Sequence, residues 1–265
     1  MALILITGAS DGLGRALAEA LAADGRHRLL LHGRDAGRLK EVAASTGGEV
    51  FQADLSSLAE VKRLAARIAE GHDRLDVLVN NAGVGFHTAG TTRQLSQDGF
   101  ELRLAVNYLA PVLLTRELLP LLRRAQPSRI VNVASIGQQP MDFTDPQLER
   151  GYTDVGAYCR SKLALICHAQ DLAEELAGSG VTANSVHPAT YMPTAMSRRS
   201  GMKTVDTLEK GLSATRRLVE APELAGVTGR YFDSGQEAQA SEEVYDADYR
   251  ARLRELTRNL LRNFS

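Results

Sequence analysis

Tyr158 and Lys162 stand four residues apart in a stretch with helical apolar spacing, so their side chains share one face. A free tyrosine titrates near pH ~10 and is a poor acid or base at neutral pH. A nearby ammonium stabilises the phenolate and draws its pKa towards the working range. Ser135 follows the apolar run at 130–133, and its hydroxyl could donate a hydrogen bond to a substrate oxygen. This tyrosine–lysine spacing occurs by chance in many helices. Its weight comes from position, on the helix after Ser135 in a chain that opens on a glycine turn.

That turn is Thr7-Gly8-Ala9-Ser10-Asp11-Gly12-Leu13-Gly14. Ala2–Ile6 before it is unbroken apolar sequence, as expected of a strand buried on both faces. Leu13, Leu17 and Leu21 after it recur at helical spacing. Strand, glycine turn and helix together form the context in which such a turn binds a phosphate. Glycine lets backbone approach a ligand closely, and the helix N-terminus offers free N–H groups to a pyrophosphate.

The elements that must position these groups alternate along the chain. Further strands are expected at 28–32, 49–53, 75–79, 130–133, 181–186 and 229–232. Helical patterns lie between them, including a long one over 95–124, others over 156–177 and 205–219, and a terminal one over 242–261. Such alternation means a mostly parallel, seven-stranded, doubly wound sheet with helices on both faces, a Rossmann-type α/β fold. No linker or repeat divides residues 1–265, so one domain is expected. In open sheets of this kind a site lies beyond the C-terminal strand ends. The glycine turn, Asp54, Asn80-Asn81-Ala82-Gly83, Ser135 and His187-Pro188 all fall there.

Net charge is −1, from 31 basic and 32 acidic residues, which argues against nucleic acid or an anionic membrane as main partner. No apolar run approaches the ~20 residues of a membrane span. Met1 leads straight into the first strand without a signal-peptide pattern, and the chain is expected to be cytoplasmic. Cys159 and Cys167, on one helix, would lie about 12 Å apart, too far for a disulfide. No histidine shows metal-ligand spacing, and no metal is expected.

Taken together, these residues resemble the short-chain dehydrogenase/reductase family over nearly the whole chain. Thr7–Gly14, with Gly8, Ser10, Asp11, Gly12, Leu13 and Gly14, is similar to the family's cofactor turn. Asp54-Leu55 is similar to its adenine-side contact, and Asn81, Ala82 and Gly83 to its strand-four motif. Asn107, Ser135, Tyr158 and Lys162 match the catalytic tetrad. The resemblance implies a nicotinamide cofactor and hydride transfer between a carbonyl and an alcohol. It makes Tyr158 the general acid or base and gives Ser135 the carbonyl. Lys162 would hold the nicotinamide ribose and lower the Tyr158 pKa, and Asn107 would hold a relay water. Asp54 could instead cap a helix, Asn81 tie strands together, and Asn107 mark a kink. The long interval 136–157 and the segment 222–232 resemble the retinol dehydrogenase and protochlorophyllide reductase branch. Ala189 stands where the family usually has glycine, which weakens the transfer of Pro188 and Thr194 to the cofactor.

In dinucleotide folds, an acid about 20 residues past the glycine turn marks NAD, and an arginine nearby marks NADP. Arg34 stands 20 residues after Gly14 and has the stronger claim. Asp35 competes for a ribose hydroxyl but also suits a helix cap. NADP(H) is therefore expected over NAD(H), in a carbonyl reductase or alcohol dehydrogenase. A non-catalytic dinucleotide-binding sensor or scaffold, and a sugar-nucleotide epimerase, are the competing readings. Substrate contacts are expected from 84–92, 136–157 and 188–204, with Met192 and Met196 in an adaptable lid. Apolar residues spread around the Tyr158 helix hint at a second buried face, and so at a homo-oligomer.

Overall fold

Consecutive residues of the first strand enter different cores. In the computed structural model, which describes residues 1–86 and 92–264, Leu3 and Leu5 of β1 (Ala2–Ile6) pack on one face of the sheet. Ile4 and Ile6 pack on the other. The strand must then be apolar throughout, since side chains alternate and both faces are covered. Each such buried Leu or Ile contributes about 1.5–3 kcal/mol of transfer free energy.

Element order alternates: α1 (Gly12–Ala23), β2 (His27–Gly33), α2 (Ala36–Thr46), β3 (Glu49–Gln52), α3 (Leu58–Gly71) and β4 (Val77–Asn80). Next come α4 (Leu102–Leu104), a π-turn (Ala105–Leu109), α5 (Ala110–Ala125), β5 (Ser128–Val133), α6 (Asp154–Glu175) and β6 (Val181–His187). The chain closes with α7 (Ala195–Ser200), α8 (Leu208–Glu220), β7 (Tyr231–Asp233), β8 (Gln236–Ala238) and α9 (Ala247–Leu261). The sheet runs β3-β2-β1-β4-β5-β6-β7-β8, parallel up to β7. The order reverses between β1 and β4, and a crevice at such a switch point is where this architecture binds ligands.

Three boundaries differ from the sequence reading. The sheet has an eighth strand, because Ser234 and Gly235 both take positive φ and turn the chain back antiparallel onto β7. The long helix begins at Leu102 rather than 95, because Gly99 at φ +81° forms a turn that pairs Leu95 with Glu101. The terminal helix begins at Ala247, where Asp246 caps it.

The apolar spread around α6 has an internal explanation. Leu163, Ile166, Cys167 and Leu172 are buried in a core that also contains Val244, Leu253 and Leu261 from the C-terminal region. Arg250 of α9 holds Asp171 at 2.5 Å and Glu174 at 2.7 Å, and Tyr108 shares a 2.7 Å hydrogen bond with Thr257. Among the described residues one helical stretch, Leu102–Ala125, is long and apolar enough to cross a membrane, and most of it is buried inside the protein.

Candidate active site

The glycine turn is sewn to the end of β4. Thr7 Oγ1 donates to the Val79 carbonyl at 3.2 Å and accepts from the N–H groups of Asn81 (2.9 Å) and Ala82 (3.0 Å). Asn81 Nδ2 donates to the carbonyls of Thr7 (2.8 Å) and Gly8 (3.3 Å). Asn81 is therefore first of all the tie between two turns. Gly8 takes φ +69°, which favours glycine. A β-carbon at position 14 would stand 2.3 Å from the Gly8 oxygen, so only glycine allows this approach. Leu13 is buried in the core beneath, and Ser10 lies against Gly33 at the end of β2.

His32 is a support the sequence did not reveal. The Gly8 N–H donates to its Nδ1 at 3.4 Å, so the ring proton sits on Nε2 and is given to the Ala53 carbonyl at 3.1 Å. Burial pushes this imidazole down to about 4. It is a neutral post between β1, β2 and β3.

Tyr158, Ser135, Lys162 and Asn107 meet next to that cradle. Tyr158 hydrogen-bonds Ser135, which draws its pKa down, but burial dominates and pushes the phenol up to about 12. Ser135 Oγ also accepts the Gly137 N–H at 3.0 Å. Lys162 Nζ donates to the Val133 carbonyl at 2.8 Å and lies 5.7 Å from the centre of the Tyr158 ring. Burial pushes Lys162 down to about 8. A β-carbon on Gly83 would stand 3.2 Å from Asn107 Oδ1 and 3.5 Å from Lys162 Nζ, so the strand-four turn touches both.

Asn107 lies within the π-turn, and its side chain is fully engaged by protein. Oδ1 accepts the Val84 N–H at 2.7 Å, while Nδ2 donates to the Val84 carbonyl and to Ser161 Oγ, both at 3.0 Å. Pro111 has no N–H to return to the carbonyl four residues back, that of Asn107, which explains the irregular turn.

Arg34 is exposed at the end of β2, with no carboxylate partner among the described residues. Asp35 caps α2 by accepting the Arg38 N–H at 3.1 Å. Asp54 Oδ1 accepts the Ser56 N–H at 2.9 Å, a turn-forming role, and the Leu55 side chain faces the core. Asp11 caps α1 through the Gly12 N–H at 2.6 Å. Pro188 follows β6, and Thr194 caps α7 with its methyl against Gly12. Arg38, 3.6 Å from both Asp11 and Asp35, is a cation at the turn that the sequence reading passed over. Its spacing, one helical turn past Arg34, was the available signal.

Aromatic and apolar side chains adjoin Tyr158. Phe86 packs edge-on against its ring at 5.3 Å and against Tyr191 at 6.4 Å. Met196 lies against Gly85, and Ile136, Val155, Met196 and Val205 are exposed. Of the substrate segment 84–92, residues 87–91 lie outside the described residues. The 136–157 segment is pinned: Tyr249 Oη accepts the Met141 N–H at 2.6 Å, and Phe143 packs on Tyr249 and under Arg252. Buried Arg103 donates to the Gly85 carbonyl (2.9 Å) and Tyr152 Oη (2.7 Å), and lies 3.5 Å from Glu101 and 3.7 Å from Asp154. It ties the segment bearing Phe86 to the start of α6.

Known proteins resemble this chain over most of its length. The family model described as short chain dehydrogenase matches residues 2–204. Human retinol dehydrogenase 13 is 34% identical over 275 residues, covering 94% of this chain and 81% of its own. Human retinol dehydrogenase 11 is 34% identical, covering 97% and 85%. A solved short chain dehydrogenase of Escherichia coli CFT073, complexed with NADPH, superposes with a TM-score of 0.72 at 29% identity, over 88% of this chain and 96% of that one. The glycine turn, the Tyr158–Lys162 helix and the whole-length similarity make the chain a member of the short-chain dehydrogenase family, in its retinol dehydrogenase-like branch.

Proposed function

We propose that this chain is an NADP(H)-dependent oxidoreductase that interconverts an apolar carbonyl compound and its alcohol, with Tyr158 exchanging the proton. The observation that carries the proposal is the convergence of Tyr158, Ser135 and Lys162 beside the glycine cradle. The cradle suits a dinucleotide: Gly12 faces Thr194 across a gap that a β-carbon would narrow to 3.2 Å, and the start of α1 offers backbone N–H groups to a diphosphate. Arg34 and Arg38 supply positive charge where an adenosine 2′-phosphate would lie, and Asp35 is occupied as a cap. The NADPH complex of the relative above supports the same reading.

When bound, the coenzyme supplies or accepts the hydride. The chain does the rest. Tyr158 is protonated at neutral pH, so its Oη gives a proton to the carbonyl oxygen as charge develops there. Ser135 Oγ donates a second hydrogen bond to the same oxygen and fixes its position. Lys162 brings a buried positive charge near the phenol and beside Gly83, where it would hold the nicotinamide ribose. The Asn107 carbonyl cannot accept from Pro111, which has no N–H, and would hold a relay water. Phe86, Tyr191, Ile136 and Met196 make the mouth apolar and favour a hydrophobic substrate. The test is NADPH consumption with a panel of aldehydes and ketones of rising apolar length. Turnover that improves with apolar length is expected. Tight NADPH binding with no turnover on any of them would overturn the enzyme reading in favour of a sensor.

A further inference from the structure

Between the glycine turn and α7 lies a cleft of about 330 Å³ lined by Arg15, Arg38, Arg198 and Arg199, with Asp11 and Glu41. Four guanidiniums and two carboxylates line it, and Glu19 and Asp35 lie against Arg15 and Arg38 from outside, so the guanidinium it offers a phosphate is that of Arg198. The charges differ in how far they are already answered. Arg15 is paired with Glu19 at 2.8 Å and lies 3.9 Å from Glu41. Arg38 lies 3.6 Å from Asp11 and from Asp35. Arg198 donates one hydrogen bond, to the Pro193 carbonyl at 3.1 Å, and has no carboxylate partner among the described residues.

We infer that Arg198 is a specificity-determining residue for the phosphorylated coenzyme, closing on its adenosine 2′-phosphate from α7, opposite Arg38. The inference rests on the coenzyme reading above and extends it to the other wall of the cleft. Asp11, in the glycine turn, would repel a phosphate lying beside it. Arg38 offsets that charge, and Arg198 adds the attraction that the turn itself lacks. Arg198 shares its short segment with Thr194 and Met196, which lie against Gly12 and Gly85.

The experiment is titration of wild type, Arg198→Ala, Arg198→Glu and Arg34→Ala with NADPH, NADH and 2′-AMP. Arg198→Ala is expected to raise the Kd ratio of NADPH to NADH roughly tenfold, the worth of one charge-assisted contact. Arg198→Glu raises the ratio further, and 2′-AMP weakens in parallel with NADPH. An unmoved ratio in both Arg198 variants, with a raised one in Arg34→Ala, overturns this inference and leaves the proposed function standing. Equal weakening of NADPH and NADH places Arg198 on the shared diphosphate and also overturns it. Wild type that binds neither coenzyme overturns the proposed function and this inference together.

Discussion

Acid should loosen the glycine turn through His32 before carboxylates titrate. The imidazole is 1% exposed and held down to about 4, against 6.5 for a free histidine. Because the folded pKa lies below the unfolded one, the unfolded chain takes up a proton that the native chain refuses. Stability is thus present above about pH 6.5 and is lost as pH falls from there towards 4. Between pH 7 and pH 4.5 the loss from His32 comes to about 2.5 kcal/mol, at 1.36 kcal/mol per pK unit. His168 is also pushed down to about 4 by burial and adds a parallel loss. The assay is urea unfolding at half-unit pH steps for wild type and His32→Gln, which keeps a donor and an acceptor but cannot titrate. The pH slope, not the absolute stability, is compared. Wild type should lose roughly twice as much as the variant over this window. Parallel pH profiles would refute the assignment, because His32 would then titrate alike in both states.

Three other outcomes are expected. Arg34→Ala should raise the KM for NADPH roughly tenfold or more while barely moving that for NADH, by steady-state kinetics; equal losses would return the ribose to Asp35. Arg250→Ala leaves Asp171 half-answered by Arg254 at 2.6 Å and should cost about 3 kcal/mol in urea unfolding, towards the low end for breaking a buried pair; a loss under ~1 kcal/mol would mean that apolar contact alone holds α9. Alcohol oxidation needs the Tyr158 phenolate, and with the phenol pushed up to about 12 its rate should climb from pH 7 to 10 by about tenfold per unit. A profile already level near pH ~7 would show that the Lys162 charge outweighs burial once the coenzyme is bound.

Local pattern carried much of the fold and the heart of the site. Apolar runs such as Ala2–Ile6 bounded by a glycine turn read as strands covered on both faces, and Gly14 and Asn81 fit each other at distances no other residue at 14 would allow. What depends on distant partners was not legible. Nothing in the sequence marks Arg103, which folding surrounds with Glu101, Tyr152 and Asp154. The α6 face read as a subunit contact, yet within one chain Val244, Leu253 and Arg250 lie against it. Its apolar pattern records burial and not the identity of what covers it. The sequence marks 136–157 only as a source of substrate contacts; Tyr249 and Arg252, about a hundred residues downstream, fasten it. Nothing in the sequence places α7, and with it Arg198, over the glycine turn.

The most direct test of the account is Tyr158→Phe, which keeps the ring packed against Phe86 and removes the transferable proton. NADPH affinity and the turnover of a responsive carbonyl substrate are measured on the same protein. The account predicts near-wild-type NADPH binding and turnover reduced at least ~100-fold, the scale for losing a general acid. Turnover close to wild type, with the coenzyme bound, would contradict it.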